Sequence, residues 1–118
     1  MEYKEWIAYA EKDLKTAEYN LKGDEIGAGA FFLQQSAEKA LKAILIKKTK
    51  KLMKTHDLVV LARKINAPER IIENCKKLTN VYLETRYPDK NSEEDIKEEI
   101  KNLENSAKEI LKWTKKIL

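Results

Sequence analysis

The chain has 118 residues, 42% of them apolar and 37% charged, with a formal net charge of +4. That length fits one domain, residues 1–118, with a single core. The charged fraction exceeds the roughly 25% of ordinary soluble proteins, but the apolar residues recur at helical spacing, which argues against disorder. One cysteine, Cys75, excludes an internal disulfide, and the single His56 excludes a His-rich metal site.

In chain order, the first helix is expected from about Tyr3 to Leu21, with Trp6, Ala10, Leu14, Ala17 and Leu21 on one stripe. The segment from Gly23 to Gly29 holds all three glycines and reads as the most flexible connection. A second helix follows over roughly Ala28 to Lys48. Phe31, Phe32, Leu33, Ala37, Ala40, Leu41, Ile44 and Leu45 give it the widest apolar surface of the chain, so it is expected to be central. Its register assigns Phe31 and Phe32, like Trp6 and Trp113, to the core or an interface. Gln35, Glu38, Lys39 and Lys42 form a narrow polar stripe on it.

The basic run Lys47, Lys48, Lys50, Lys51 and Lys54 comes next, then Thr55-His56-Asp57. Thr55 or Asp57 can cap a short third helix carrying Leu58, Leu61, Ala62 and Ile65. Pro68 opens a fourth helix, whose inner face is Ile71, Cys75, Leu78, Tyr82 and Thr85. Arg86-Tyr87-Pro88-Asp89 ends it, because Pro88 pushes Tyr87 out of the helical region. Ser92 followed by Glu93, Glu94 and Asp95 signals the start of the last helix, with Ile96, Ile100, Leu103, Ala107, Ile110, Trp113 and Ile117 inward. No strand pattern competes. The fold class is all-α: an up-and-down bundle of four long helices and one short one.

Four groups of residues are candidates for chemistry. Arg86 and Tyr87 set a guanidinium and a phenol at a helix end, either as a bidentate phosphate fork or as a cap on helix carbonyls. His56, beside Asp57, is the one side chain suited to proton transfer near neutral pH, or else an ordinary residue at a helix start. The stripe of Gln35, Glu38, Lys39 and Lys42 is either a surface ion-pair row or a partly buried polar site. The lysines from 47 to 54 attract phosphates or simply solvate a linker. No Gly-rich phosphate loop, metal-ligand spacing or nucleophile elbow is present, so no cofactor or metal is expected. No apolar run approaches the ~20 residues of a membrane span, and the N-terminus has no signal-peptide core, so the expected location is the cytoplasm.

Three segments together resemble the HEPN family, helical domains of higher eukaryotes and prokaryotes associated with nucleotides and RNA. They are Phe32-Leu33-Gln34-Gln35-Ser36-Ala37-Glu38-Lys39-Ala40-Leu41-Lys42-Ala43, His56-Asp57-Leu58 and Thr85-Arg86-Tyr87-Pro88-Asp89. Their order, separation and helical context match along nearly the whole chain. The resemblance implies a bundle that dimerises, and a minimal nucleotidyltransferase as partner, often in a toxin–antitoxin pair. Many members are metal-independent ribonucleases whose signature is an Arg followed, four to six residues on, by a His. Arg86 matches the arginine, but Asn91, Ser92 and Glu93 stand where that histidine belongs. The family's Glu-x-x-x-Lys-Arg pattern is half present: Glu38 and Lys42 match, and Ala43 replaces the Arg. His56 matches a different family feature, the His before the short third helix.

The leading reading is therefore a nucleotide- or RNA-binding domain that acts in a complex as a homodimer. The candidate phosphate-binding residues are Arg86, Tyr87, His56, Lys42, Lys39 and Glu38, and the catalytic residues are unknown. A ribonuclease with a rearranged site using His56 and Arg86 is the first alternative; a non-catalytic interaction module is the second. A site of this kind requires residues 49 to 56 to meet residue 86 at one end of the bundle. That geometry follows if the third helix reverses the chain and the second and fourth run parallel.

Overall fold

The computed structural model describes residues 2–79 and 93–118. Tyr82, Thr85, Arg86, Tyr87, Pro88, Asp89, Asn91 and Ser92, named above as helix-end, capping or binding residues, lie outside the described residues. Five helices are described: α1 (Tyr3–Lys22), α2 (Ile26–Thr49), α3 (Leu58–Lys64), α4 (Glu69–Thr79) and α5 (Glu93–Ile117). No strand occurs among the described residues.

Local chemistry explains most of the boundaries. The Glu5 carboxylate accepts from the Glu2 backbone N–H and closes the start of α1. At its end, the Gly23 N–H donates to the carbonyls of Tyr19 and Asn20. Only residues 23–25 lie between α1 and α2, so Gly27 and Gly29 are helical rather than part of a flexible connection. Gly29 serves close approach instead: a Cβ there would meet Leu21 Cδ2 at 2.4 Å. α2 stops where Lys50 turns into the left-handed region, at φ 61°.

Asp57 caps α3 by accepting from the N–H groups of Val59, at 2.9 Å, and Val60, at 3.2 Å. Replacing Asp57 by alanine is expected to cost about 1 kcal/mol of stability, read from urea unfolding; an unchanged midpoint would refute the cap's role.

The core forms around α2. Leu33, Ala37, Ala40, Leu41 and Ile44 are buried against Ala10 and Ala17 of α1, Leu58 and Leu61 of α3, Ile71 and Cys75 of α4, and Leu103 and Ile110 of α5. Burial pushes the Cys75 thiol up to about 12, which leaves it protonated and inert near neutrality. One buried hydrogen bond locks α1 to α2: Ser36 Oγ donates to the Ala10 carbonyl at 2.7 Å. Phe32, Trp6 and Trp113 are half-buried, whereas Phe31 is exposed. Phe31 is thus not a core residue of the single chain.

Side-chain pairings give the helix directions. α1 and α2 form an antiparallel hairpin, with Asp13 paired to Lys39 and Trp6 beside Lys42. α5 runs antiparallel to α1, through Lys115–Glu11 at 3.3 Å and Lys108–Glu18 at 3.8 Å. It therefore runs in the same direction as α2, and Lys47 Nζ of α2 donates to the Leu118 carbonyl beyond the end of α5. α4 is antiparallel to α5: Arg70, at its start, pairs with Glu109 at 3.5 Å. Asn74 and Lys77 then face Ser106 and Glu99 across a shared groove.

These directions correct one expectation. α3 does not reverse the chain; the connecting segment 50–57 does. His56, at the end of that segment, lies beside Glu38 in the middle of α2, eleven residues or about 16 Å back from Thr49 along the helix. α3 then retraces α2 in the same direction, until the Ile65 carbonyl meets Lys48 Nζ at 3.3 Å. As a result α2 and α4 are antiparallel, not parallel.

Candidate functional site

The polar stripe of α2 is not a surface row. Glu38 and Lys42 keep only 6% and 7% of their side-chain surface, and Lys42 Nζ contacts Glu38 Oε2 at 2.9 Å. An ion pair this enclosed needs further partners, since desolvation of two charges costs several kcal/mol. It has them. Gln34 Nε2 donates to Glu38 Oε1 at 3.4 Å, and His56 Nδ1 lies 3.1 and 3.0 Å from the two carboxylate oxygens. On the other side, the Lys42 ammonium sits 5.9 Å from the centroid of the Trp6 ring. The indole Nε1 of Trp6 is buried and has no hydrogen-bond partner among the described residues.

His56 is the opposite of its partner in exposure. Its side chain is 80% exposed, against 6% for the Glu38 carboxylate it touches. A carboxylate at Nδ1 favours the tautomer with its proton on that nitrogen, and so frees Nε2 as a base facing solvent. The backbone is fixed too, because Gln34 Nε2 also donates to the His56 carbonyl at 3.2 Å. Gln34 thus holds both the carboxylate and the segment that carries the imidazole.

Asp57, next in sequence to His56, does not serve the ring; its carboxylate is used at the start of α3. Lys39 turns away from Glu38 and pairs with Asp13, with its ammonium 5.6 Å from the Tyr9 ring. Gln35 is half-buried on the same turn. The structure therefore brings Glu38, Lys42 and His56 together and leaves Lys39 with α1. Arg86 and Tyr87 lie outside the described residues.

Chemically, an exposed imidazole on a buried carboxylate–ammonium pair can accept or deliver a proton at Nε2, or donate a hydrogen bond to an anion when protonated. The HEPN domain model matches residues 3–118. The chain belongs to the HEPN family. Among solved structures it is similar to ST0689, an archaeal HEPN homologue, at 30% identity and a TM-score of 0.78, over 98% of this chain and 96% of that one. It is also similar to TT1696 from Thermus thermophilus, at 25% identity and a TM-score of 0.80, over 98% of both chains. No curated protein matches it. In this HEPN chain, two described concavities lie away from His56. One, of about 410 Å³, separates α4 from α5 beside Asn74 and Ser106; the other, of about 270 Å³, lies between Leu14 of α1 and Leu111 of α5. None of the described helices of this HEPN chain is long and apolar enough to cross a membrane.

Sequence reasoning missed Gln34 and Trp6 as members of the cluster. Gln34 stands one turn before Glu38, so the i, i+4 spacing was a usable signal. Trp6 carried no such signal, because its place over Lys42 depends on how α1 packs.

Proposed function

We propose that this HEPN chain binds a phosphate-bearing ligand, a nucleotide or RNA, on the face where His56 stands over Glu38 and Lys42. The observation that carries this reading is the exposed His56 ring held at Nδ1 by a carboxylate that is itself buried. A solvent-facing side chain gains little stability from such precise placement, so the placement points to a ligand. Arg86 and Tyr87, carried over from the family pattern, would supply a guanidinium fork and a stacking face. We further propose that the domain acts as a homodimer. Phe31 supports this, since it stands 56% exposed on α2, one turn from Gln34 and Gln35. A minimal nucleotidyltransferase encoded with it, in a toxin–antitoxin-like arrangement, is the partner the family suggests.

The same observation favours a second reading, metal-independent RNA cleavage with His56 as the proton-transfer group. A positioned general acid or base contributes about 10² to 10⁴ in rate. One experiment separates the two. Single-stranded RNA is titrated and assayed for cleavage in the presence of a chelator, with wild type, His56→Ala and Arg86→Ala. Binding weakened by both substitutions, without cleavage, is the expected result. Cleavage abolished by His56→Ala would establish the second reading, and absence of binding at low salt would refute both.

A further inference from the structure

The two ends of the bundle differ in charge. Lys47 and Lys48 gather one end. Lys47 Nζ donates to the Leu118 carbonyl at 2.9 Å and lies 5.0 Å from the Tyr3 ring centroid, while Lys48 Nζ reaches the Ile65 carbonyl at 3.3 Å. The last turns of α2, α3 and α5 therefore meet there. Around the two buttressing lysines, Lys50, Lys51, Arg63, Lys64 and Lys116 are exposed. None of the five pairs with a carboxylate among the described residues. The opposite end holds Asp24 and Glu25 in the α1–α2 turn, with one cation, Lys22, beside them.

Some of this charge is ordinary helix chemistry, since cations at a helix C-terminus complement its dipole. Each helix end presents roughly half an elementary charge, so the three C-termini contribute about minus one and a half and the starts of α1 and α4 at the same end about plus one. Against the three exposed carboxylates of Glu2, Glu5 and Glu69 at this end, the seven cations named still leave a surplus of positive charge. The modest net charge of +4 conceals this concentration, because most acidic residues lie elsewhere on the fold.

We propose that this end of the bundle is a polynucleotide-binding surface, which seats a run of phosphodiesters while one nucleotide of the same strand occupies the His56 face. The inference rests on the nucleotide- or RNA-binding reading and narrows it to a polymer. Packed helices lie about 8–10 Å apart, so basic residues on three of them spread over about 20 Å. Regularly spaced phosphates match that spread; the phosphates of one mononucleotide do not. The return segment carries exposed Lys54 along the route from this end to His56. An anionic membrane is the poorer match, because no described amphipathic helix lies flat across this end. Leu52 and Ile117 are its exposed large apolar side chains.

The test is fluorescence anisotropy with a short labelled single-stranded RNA, alongside ATP as the mononucleotide probe and phosphatidylserine vesicles as the lipid probe. The variant is Lys50→Gln/Lys51→Gln/Lys116→Gln, whose side chains are exposed, with the three Lys→Arg changes as a charge-preserving control. RNA affinity at low salt should fall about tenfold or more in the Gln variant, and the slope of log K against log salt should shrink by roughly 0.7 per lost contact. ATP affinity should stay unchanged, and the Arg control should bind RNA like wild type. An unchanged RNA affinity, an equal loss for ATP, or tight vesicle binding without RNA binding would overturn the proposal. If wild type binds neither ATP nor RNA, the underlying nucleotide reading fails as well.

Discussion

Replacing Lys42 by methionine should destabilise the domain by about 3 kcal/mol, and by more if Glu38 finds no new partner. Methionine keeps most of the lysine stem and its contact with Trp6, so the loss isolates the charge. Glu38 would remain 6% exposed with Gln34 and His56 as its remaining partners among the described residues. At roughly 4 °C per kcal/mol for a chain of this size, the melting temperature should fall by about 12 °C. Removing both charges tells cost from benefit: Glu38→Leu/Lys42→Met should recover most of the loss, because two apolar side chains replace a desolvated pair. It should also leave His56 without its orienting carboxylate in a folded protein, separating the site from the fold. A single variant within about 1 kcal/mol of wild type would show that the pair is not structurally coupled.

Leu41→Ala should cost a similar amount for an unrelated reason. Leu41 is fully buried in the cluster where α2 meets the other helices. Truncating it loses the transfer free energy of the removed carbons and leaves a cavity that rigid neighbouring helices fill only in part, for a total of about 2–5 kcal/mol. In urea the midpoint should drop while the slope stays constant, since the surface exposed on unfolding hardly changes. The same truncation at Leu52, which is 49% exposed on the return segment, provides the contrast and should shift the midpoint little. Equal effects at the two positions would mean that α2 is not the centre of the core.

The helices were legible because each carries a repeating apolar face, and burial of a face is a local pattern with a long record in the sequence. The central place of α2 followed from the same logic: Phe32, Leu33 and Leu45 point about 100° or more apart around one helix, so no single neighbour could cover them. Phe31 shows the limit, since periodicity reports that a residue is apolar and not whether a neighbour reaches it. The return segment 50–57 was illegible as structure. It has no period, and its path along α2 is fixed by the Gln34 contact with the His56 carbonyl, a pairing 22 residues apart.

The candidate site was half legible for the same reason. Glu38, Lys42 and His56 were each singled out by chemistry, but the contact between Glu38 and His56 joins residues 18 apart through a chain reversal. Asp57, the obvious carboxylate for His56, was already committed to the N–H groups at the start of α3. A side chain that caps a helix is unavailable to its neighbour, which is why adjacency in sequence pointed to the wrong acid.

Lys50 sets two demands on the chain against each other. It ends α2 with φ at 61°, a conformation that costs an L-residue with a Cβ roughly 1–2 kcal/mol and glycine almost nothing. Glycine is the residue that stability alone would select there, as at so many helix ends. Yet glycine would delete a cation from the end of the bundle that collects them. If that charge serves a ligand, Lys50 is a position where gain in stability and loss of affinity arrive with the same substitution, and evolution has settled on the less stable choice.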